Sequence, residues 1–338
     1  MRAVGFNHSQ PITSQTALVD IDLPEPDPQG RDLLVEIRAV SVNPVDTKVR
    51  RSAEVEPGQF RVLGYDAAGV VKAVGPGVKL FRPGDAVYYA GAIDRPGTNA
   101  EFHLVDERIV GMKPKTLGFE EAAALPLTAI TAYEALFHRM KVENKVAGAW
   151  NAVLLVGAAG GVGSIAIQLL RALSDVTVIA TASRPESQAW VRELGAHHVI
   201  DHSKPMAPQL AAMAIGQPGF VFSLTQTDKH LPDILDLIAP QGRMALIDDP
   251  AEVVDLRLFK RKCLSVHWEM MFARPVFQTA DMIEQHKLLT HVAELVDAGR
   301  IRSTLADVLG PINADNLKKA HALIESGTTR GKLVLSGF

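Results

Sequence analysis

The chain has 338 residues, which at roughly 150 residues per domain suggests about two domains with cores that need no disulfide. Its single cysteine, Cys263, excludes an intrachain disulfide and any cysteine-rich zinc or iron–sulfur site. Apolar residues at 47% and charged residues at 22% describe an ordinary globular chain rather than a disordered one. A net charge of −3 gives no reason to expect nucleic acid or an anionic membrane as partner.

No apolar run reaches the ~18 residues of a membrane span. The opening residues, Met1 to His8, carry no apolar signal core. The expectation is a soluble, cytoplasmic protein.

Residues 1–110 read as β-rich. Leu33–Val42 begins apolar and then alternates, Gly69–Val74 is closed by Gly75-Pro-Gly77, and Asp85–Ala90 is opened by Arg82-Pro-Gly84. Short strands between such punctuation predict a barrel-like domain, with Pro24–Pro28 as an extended connector. Phe119–Thr128 and Thr131–Phe137 read as helical, broken at Pro126.

From residue 152 strands and helices alternate. Ala152–Val156, Val176–Thr181, His198–Ile200, Phe220–Ser223 and Arg243–Ile247 are strands. Val162–Leu173, Pro185–Leu194 and Leu231–Ile238 are helices. That order predicts a doubly wound parallel sheet with helices on both faces. Helices near Leu288–Ala298 and Ala314–Ser326 and a strand Lys332–Leu335 complete the chain.

The strongest signal is Val153-Leu-Leu-Val-Gly157-Ala158-Ala-Gly160-Gly161-Val162-Gly163, a glycine-rich turn between a strand and a helix. Its glycines let the backbone approach a pyrophosphate, and the free N–H groups at the helix start bind it. Ala158 stands at one glycine position of the simple fingerprint, so the match is to a variant. The end of the next strand, Ala180-Thr-Ala-Ser183-Arg184-Pro-Glu-Ser187, carries no acid to hold a ribose 2′-hydroxyl. Ser183 and Ser187 can hydrogen-bond a 2′-phosphate and Arg184 can pair with it, which predicts NADP(H) over NAD(H).

With this turn in place the chain resembles the medium-chain dehydrogenase/reductase superfamily, and within it the quinone oxidoreductase branch often grouped as zinc-type alcohol dehydrogenase-like proteins. The resemblance is nearly end to end. It rests on Ser41–Thr47, Leu63–Val71, Arg82–Val87, Ala122–Thr128, the glycine-rich turn and Gly242-Arg243. It implies an α/β chain with a GroES-like β-rich catalytic domain over 1–125 and 266–338. A Rossmann NADP(H)-binding domain over 126–265 would be inserted between them, with an active site in the interdomain cleft and a homodimer.

The zinc-dependent branch carries a catalytic Cys where this chain has Asn43 and a His-Glu pair where it has Tyr65-Asp66. With those ligands gone no zinc is expected, because the metal needs three converging N, S or O ligands. His197, His198 and His202 cluster in the cofactor domain and read as surface or phosphate-side histidines, so His202 is counted with the cofactor residues.

Without a metal to stabilise an alkoxide, substrates that delocalise charge themselves are favoured. The expected reaction is hydride transfer from NADPH to a quinone or an α,β-unsaturated carbonyl. The alternatives are an alcohol or aldehyde dehydrogenase, or a non-catalytic NADPH-binding protein. Asn43 could donate its amide to a carbonyl or simply precede the turn at Pro44. Tyr65 could donate its hydroxyl to substrate or pack beneath the nicotinamide. Asp46 orients neighbours, and Lys48 stands where many relatives carry a Tyr, as a proton donor or electrostatic anchor. Thr128 resembles a position that touches the nicotinamide. Ile247 and Trp268 follow late strands, where ligands of open α/β sheets gather.

Overall fold

The computed structural model describes residues 1–338 and divides into two units, Met1–Ile130 with Phe272–Phe338, and Thr131–Met271. The axis of the first unit is the eleven-residue strand Asp32–Val42. Ala67–Val74 pairs antiparallel along it, Phe102–Asp106 pairs with its first half, and Lys332–Ser336 with its last four residues. The sheet continues through Ala86–Tyr89 to Val110–Met112 on one side and to Leu305–Val308 on the other. A small sheet of Val19–Asp22, Arg2–Phe6 and Arg61–Val62 adds a second layer. The register that matters most sets Leu333 opposite Val42, because it delivers Lys332 to the end of the long strand.

The second unit is a six-stranded parallel sheet. Its strands in chain order are Trp150–Val156, Thr177–Thr181, His198–Ile200, Pro218–Ser223, Arg243–Leu246 and Ser265–Trp268. Their spatial order, 3-2-1-4-5-6, is the doubly wound order with its reversal beside the first strand. Ala152, Leu154 and Val156 face a core with Ile179, Val221, Met244, Leu210, Ile234 and Leu237. Val153 and Leu155 alternate to the other face and are equally buried. Burial on both faces is why this strand reads as an unbroken apolar run.

Two readings need correction. The strand Ser265–Trp268 is the sixth strand of this sheet, so the parallel domain runs to Met271 and not to residue 265. Residues 126–139 form one helical run whose last part, Glu134–Arg139, is wound as a π-helix. Pro126 starts that helix after the short helix Phe119–Ala123; a proline is tolerated there because its missing N–H would have no partner.

In the first unit the helix Ala314–Glu325 packs against Pro44–Ser52, and the buried Arg50 pairs with Glu325 and donates to the Gln10 carbonyl. Beside it His321 is fully buried and neither ring nitrogen has a hydrogen-bond partner. Burial, with the Arg50 charge, pushes this imidazole from 6.5 down to about 3. The unfolded chain therefore binds the extra proton between those values, and stability falls as pH drops through that window. His321→Leu removes both the orphaned nitrogens and the acid liability. Its stabilisation, read from urea unfolding, is expected to be about 2 kcal/mol larger at pH 5 than at pH 7.5.

Candidate active site and dinucleotide site

The glycine-rich turn links the strand Trp150–Val156 to the helix Gly161–Leu173. Gly157 takes φ +80°, a left-handed conformation open to glycine. A Cβ on Gly163 would lie 2.3 Å from the Ala158 carbonyl oxygen, so helix and turn touch backbone to backbone there. A Cβ on Gly160, the residue before the helix, would meet nothing within 4 Å. No side chain caps that helix, and its first N–H groups have no carbonyl one turn back. A tight turn, open space above it and uncapped donors together fit the pyrophosphate of a dinucleotide.

Thr181, the last residue of the second strand, ties this turn to its surroundings. Its Oγ1 accepts from the Gly157 N–H at 2.8 Å, and the Ala158 N–H donates to its carbonyl at 3.0 Å. His202 Nδ1 lies 2.8 Å from the same hydroxyl. The histidines of the sequence cluster separate: His197 Nδ1 accepts from the Val178 N–H, His198 packs on Trp150, and His202 packs edge-on to His230.

Beyond Thr181 no carboxylate stands at the strand end itself. Ser183 is exposed, Ser187 is buried, and an Arg184 guanidinium N–H donates to Ser187 Oγ at 3.3 Å. Glu186 sits 3.4 Å from Arg184 and partly neutralises it. Ile247 directly follows the fifth strand, at its carboxyl end. Trp268 ends the sixth, edge strand and is 57% exposed, so it lies within the sheet edge and not on a loop beyond a strand. Asp248 holds the start of the helix Thr227–Leu237, accepting from the Thr227 N–H at 2.8 Å and from its hydroxyl.

The first unit contains the other candidates. Asn43 precedes the helix Pro44–Ser52. Its amide is already committed: Nδ2 donates to Asp66 Oδ2 at 2.8 Å and Oδ1 accepts from Lys332. The Lys332 ammonium also donates to the Val42 carbonyl and to Asp66 Oδ2, each at 3.1 Å, so all three of its hydrogens are used. Asp66 Oδ2 takes a further bond from Ser41 Oγ, and Asp66 Oδ1 accepts from the Leu127 N–H at 2.8 Å. Burial raises the Asp66 carboxyl, while the Lys332 charge pulls it down.

Asp46 accepts from the N–H groups of Asn43 and Gly64 at 2.8 and 3.0 Å, and burial pushes it up to about 7. Its two carboxyl oxygens are thus each taken up by a backbone N–H. Lys48, two residues on, is exposed. Tyr65 is buried, stacks edge-on to Phe272, and its hydroxyl has no hydrogen-bond partner; burial pushes it up to about 12. Thr128 is buried and its hydroxyl donates to the Leu125 carbonyl at 3.1 Å.

No three His, Cys, Asp or Glu side chains are arranged to hold a metal ion. The donor set gives the reason: where the zinc branch has its ligands, this chain places an amide, a phenol and a carboxylate already bound to an ammonium. Lys332, Ser41 and Thr181 escape sequence reasoning because each acts through a partner distant in the chain.

Comparison with known proteins matches the alcohol dehydrogenase GroES-like domain over residues 29–132 and the zinc-binding dehydrogenase family over 194–335. A zinc-type alcohol dehydrogenase-like protein of Staphylococcus aureus (strain MSSA476) is 38% identical over 99% of this chain and 100% of its own length. A protein of Rhizobium etli CFN 42, provisionally assigned as a zinc-dependent alcohol dehydrogenase, is 64% identical. Its crystal structure superposes with a TM-score of 0.98, covering 100% of this chain and 98% of that one. The quinone oxidoreductase of Escherichia coli, crystallised with NADPH, is 25% identical with a TM-score of 0.84 over 99% and 100% of the two chains.

Proposed function

We propose that this chain, which belongs to the medium-chain dehydrogenase/reductase superfamily among the zinc-type alcohol dehydrogenase-like proteins, is an NADPH-dependent reductase of quinones or α,β-unsaturated carbonyls that works without catalytic zinc. The coarser statement, an oxidoreductase of this superfamily, follows from the relatives. The finer one is carried by the Lys332 ammonium bound to Asn43 and Asp66, where the zinc branch has ligands. With that position committed, the acceptor must spread its own developing charge, as quinones and conjugated carbonyls do.

NADPH, when bound, supplies the hydride. The uncapped N–H groups after Gly160 hold the pyrophosphate, and Ser183, Arg184 and Ser187 receive the 2′-phosphate. Glu186, beside Arg184, weakens that preference without inverting it. The Tyr65 hydroxyl is buried against Phe272 with no hydrogen-bond partner to relay a proton to it, so the reduced acceptor takes its proton from water. The protein's contribution is binding and orientation.

The test is the decay of NADPH absorbance with a panel of small quinones and enones, on chelator-treated protein. Turnover that survives chelation is expected. Activity lost on chelation and restored by zinc would overturn the reading.

A homodimer belongs to the same proposal. The strand Ser265–Trp268 is a sheet edge with open hydrogen-bonding groups, and Trp268 and Met270 beside it are 57% and 53% exposed. A second copy pairing along this edge would cover both. Val266→Pro removes a donor from that edge and is expected to shift the mass measured by light scattering from dimer to monomer. A parent protein that is already monomeric would refute the pairing.

A further inference from the structure

We propose that His230 and His202 form one titratable pair at the adenosine end of the dinucleotide site, taking up a proton when a nucleotide with a 2′-phosphate binds. The proposal rests on the dinucleotide reading of the glycine-rich turn and adds a residue and a proton linkage to it. His230 stands in the first turn of the helix Thr227–Leu237, at the carboxyl end of the fourth strand. It is 4% exposed, yet its ring nitrogens make no hydrogen bond to the protein and are not sealed from solvent. A buried imidazole with open, unpartnered nitrogens is what a ligand-facing group looks like before its ligand arrives.

Its surroundings place it. The His230 and His202 rings meet edge to face with centroids 5.5 Å apart. His202 is joined through the Thr181 hydroxyl to the Gly157 N–H, so three contacts lead from the phosphate-binding turn to His230. Arg184, Ser183 and Ser187 follow directly in the chain after that same strand end.

The charges facing the pair come from four places. Lys229 neighbours both rings and Asp201 precedes His202. Asp233 lies one turn along from His230, and Asp248 faces it from the loop after the fifth strand. Both aspartates near His230 are occupied with backbone N–H groups, Asp233 with Met206 and Asp248 with Thr227. Burial holds both imidazoles below their ordinary value, and for His230 the neighbouring imidazole and Lys229 add to the effect. At neutral pH the free pair is therefore uncharged, and an incoming phosphate dianion reverses the balance.

Fragment ligands isolate the effect. Adenosine 2′,5′-bisphosphate and 5′-AMP differ only by the 2′-phosphate, and neither needs a nicotinamide site. The ratio of their affinities, by calorimetry, is expected to rise about three- to tenfold in favour of the bisphosphate between pH 8 and 6.5. Calorimetry in two buffers of different ionisation heat would show net proton uptake. His230→Gln should flatten the pH dependence, and comparison with the parent cancels the phosphate's own titration. Imidazole NMR of the parent, with and without bisphosphate, reads both pKa values with no variant needed. An unchanged His230 pKa, or equal pH slopes in parent and variant, overturns the inference while leaving the dinucleotide site intact. Failure of both fragments and of NADPH to bind at any pH would overturn the dinucleotide reading itself.

Discussion

Lys332→Met is expected to cost the folded chain about 3–5 kcal/mol, read as a fall in the urea midpoint at constant slope. Two buried charges meet in this contact: Lys332 is 3% exposed and Asp66 is fully buried. Methionine fills the methylene stem but leaves Asp66 with one cation fewer. Asp66 then keeps the bonds from Ser41, Asn43 and Leu127, all of which favour the ionised form, while burial alone drives it toward protonation. The ionised form then has hydrogen bonds but no buried counter-charge, and the protonated form must give up at least one of those bonds to donate its own proton. The Asn43 carbonyl also loses its partner.

Lys332→Met combined with Asp66→Asn should recover a large part of the loss, because no uncompensated charge then remains. A double-mutant cycle over the two positions measures the coupling directly. A loss below about 1 kcal/mol for the single variant would mean the pair is incidental to the fold.

The same contact shows where the sequence is silent. Lys332 and Asp66 are 266 positions apart. Their meeting depends on the antiparallel register that sets Leu333 opposite Val42, a tertiary result that no local pattern encodes. The parallel domain is the opposite case. Ala152–Val156 and Phe220–Ser223 are buried on both faces, so strand and burial appear together as apolar runs bounded by turn residues.

The edge strand Ser265–Trp268 carries the same hydrogen-bond ladder with only half of its surface covered. Ser-Val-His-Trp then looks like a loop, and the domain boundary is read six residues early. Arg61–Val62 is too short to carry any period. At the candidate dinucleotide site the turn itself is legible because four glycines fall within seven residues between a strand and a helix, and Gly157 and Gly163 each answer a local steric demand. Thr181 and His230 are not, because their roles come from strands adjacent in space and not in sequence.

Gly160→Val and Gly163→Val are expected to separate binding from folding at that turn. At Gly160 the backbone is already extended, with φ −73° and ψ 179°, and a Cβ meets nothing within 4 Å. The folded chain tolerates valine there, so the thermal midpoint should stay close to that of the parent. The isopropyl group would fill the space that the pyrophosphate needs above the helix start. NADPH affinity is expected to fall about a hundredfold, equivalent to about 2.7 kcal/mol, by fluorescence titration.

At Gly163 the added Cβ lies 2.3 Å from the Ala158 carbonyl oxygen and 2.5 Å from its Cα, both backbone atoms of the turn. The helix must move off the strand, so this variant should lose thermal stability and nucleotide binding together. Parent-like NADPH binding by the Gly160 variant would mean that the open space above the turn is not where the cofactor lies. Loss of stability at Gly160 but not at Gly163 would mean that the packing around the turn is assigned the wrong way round.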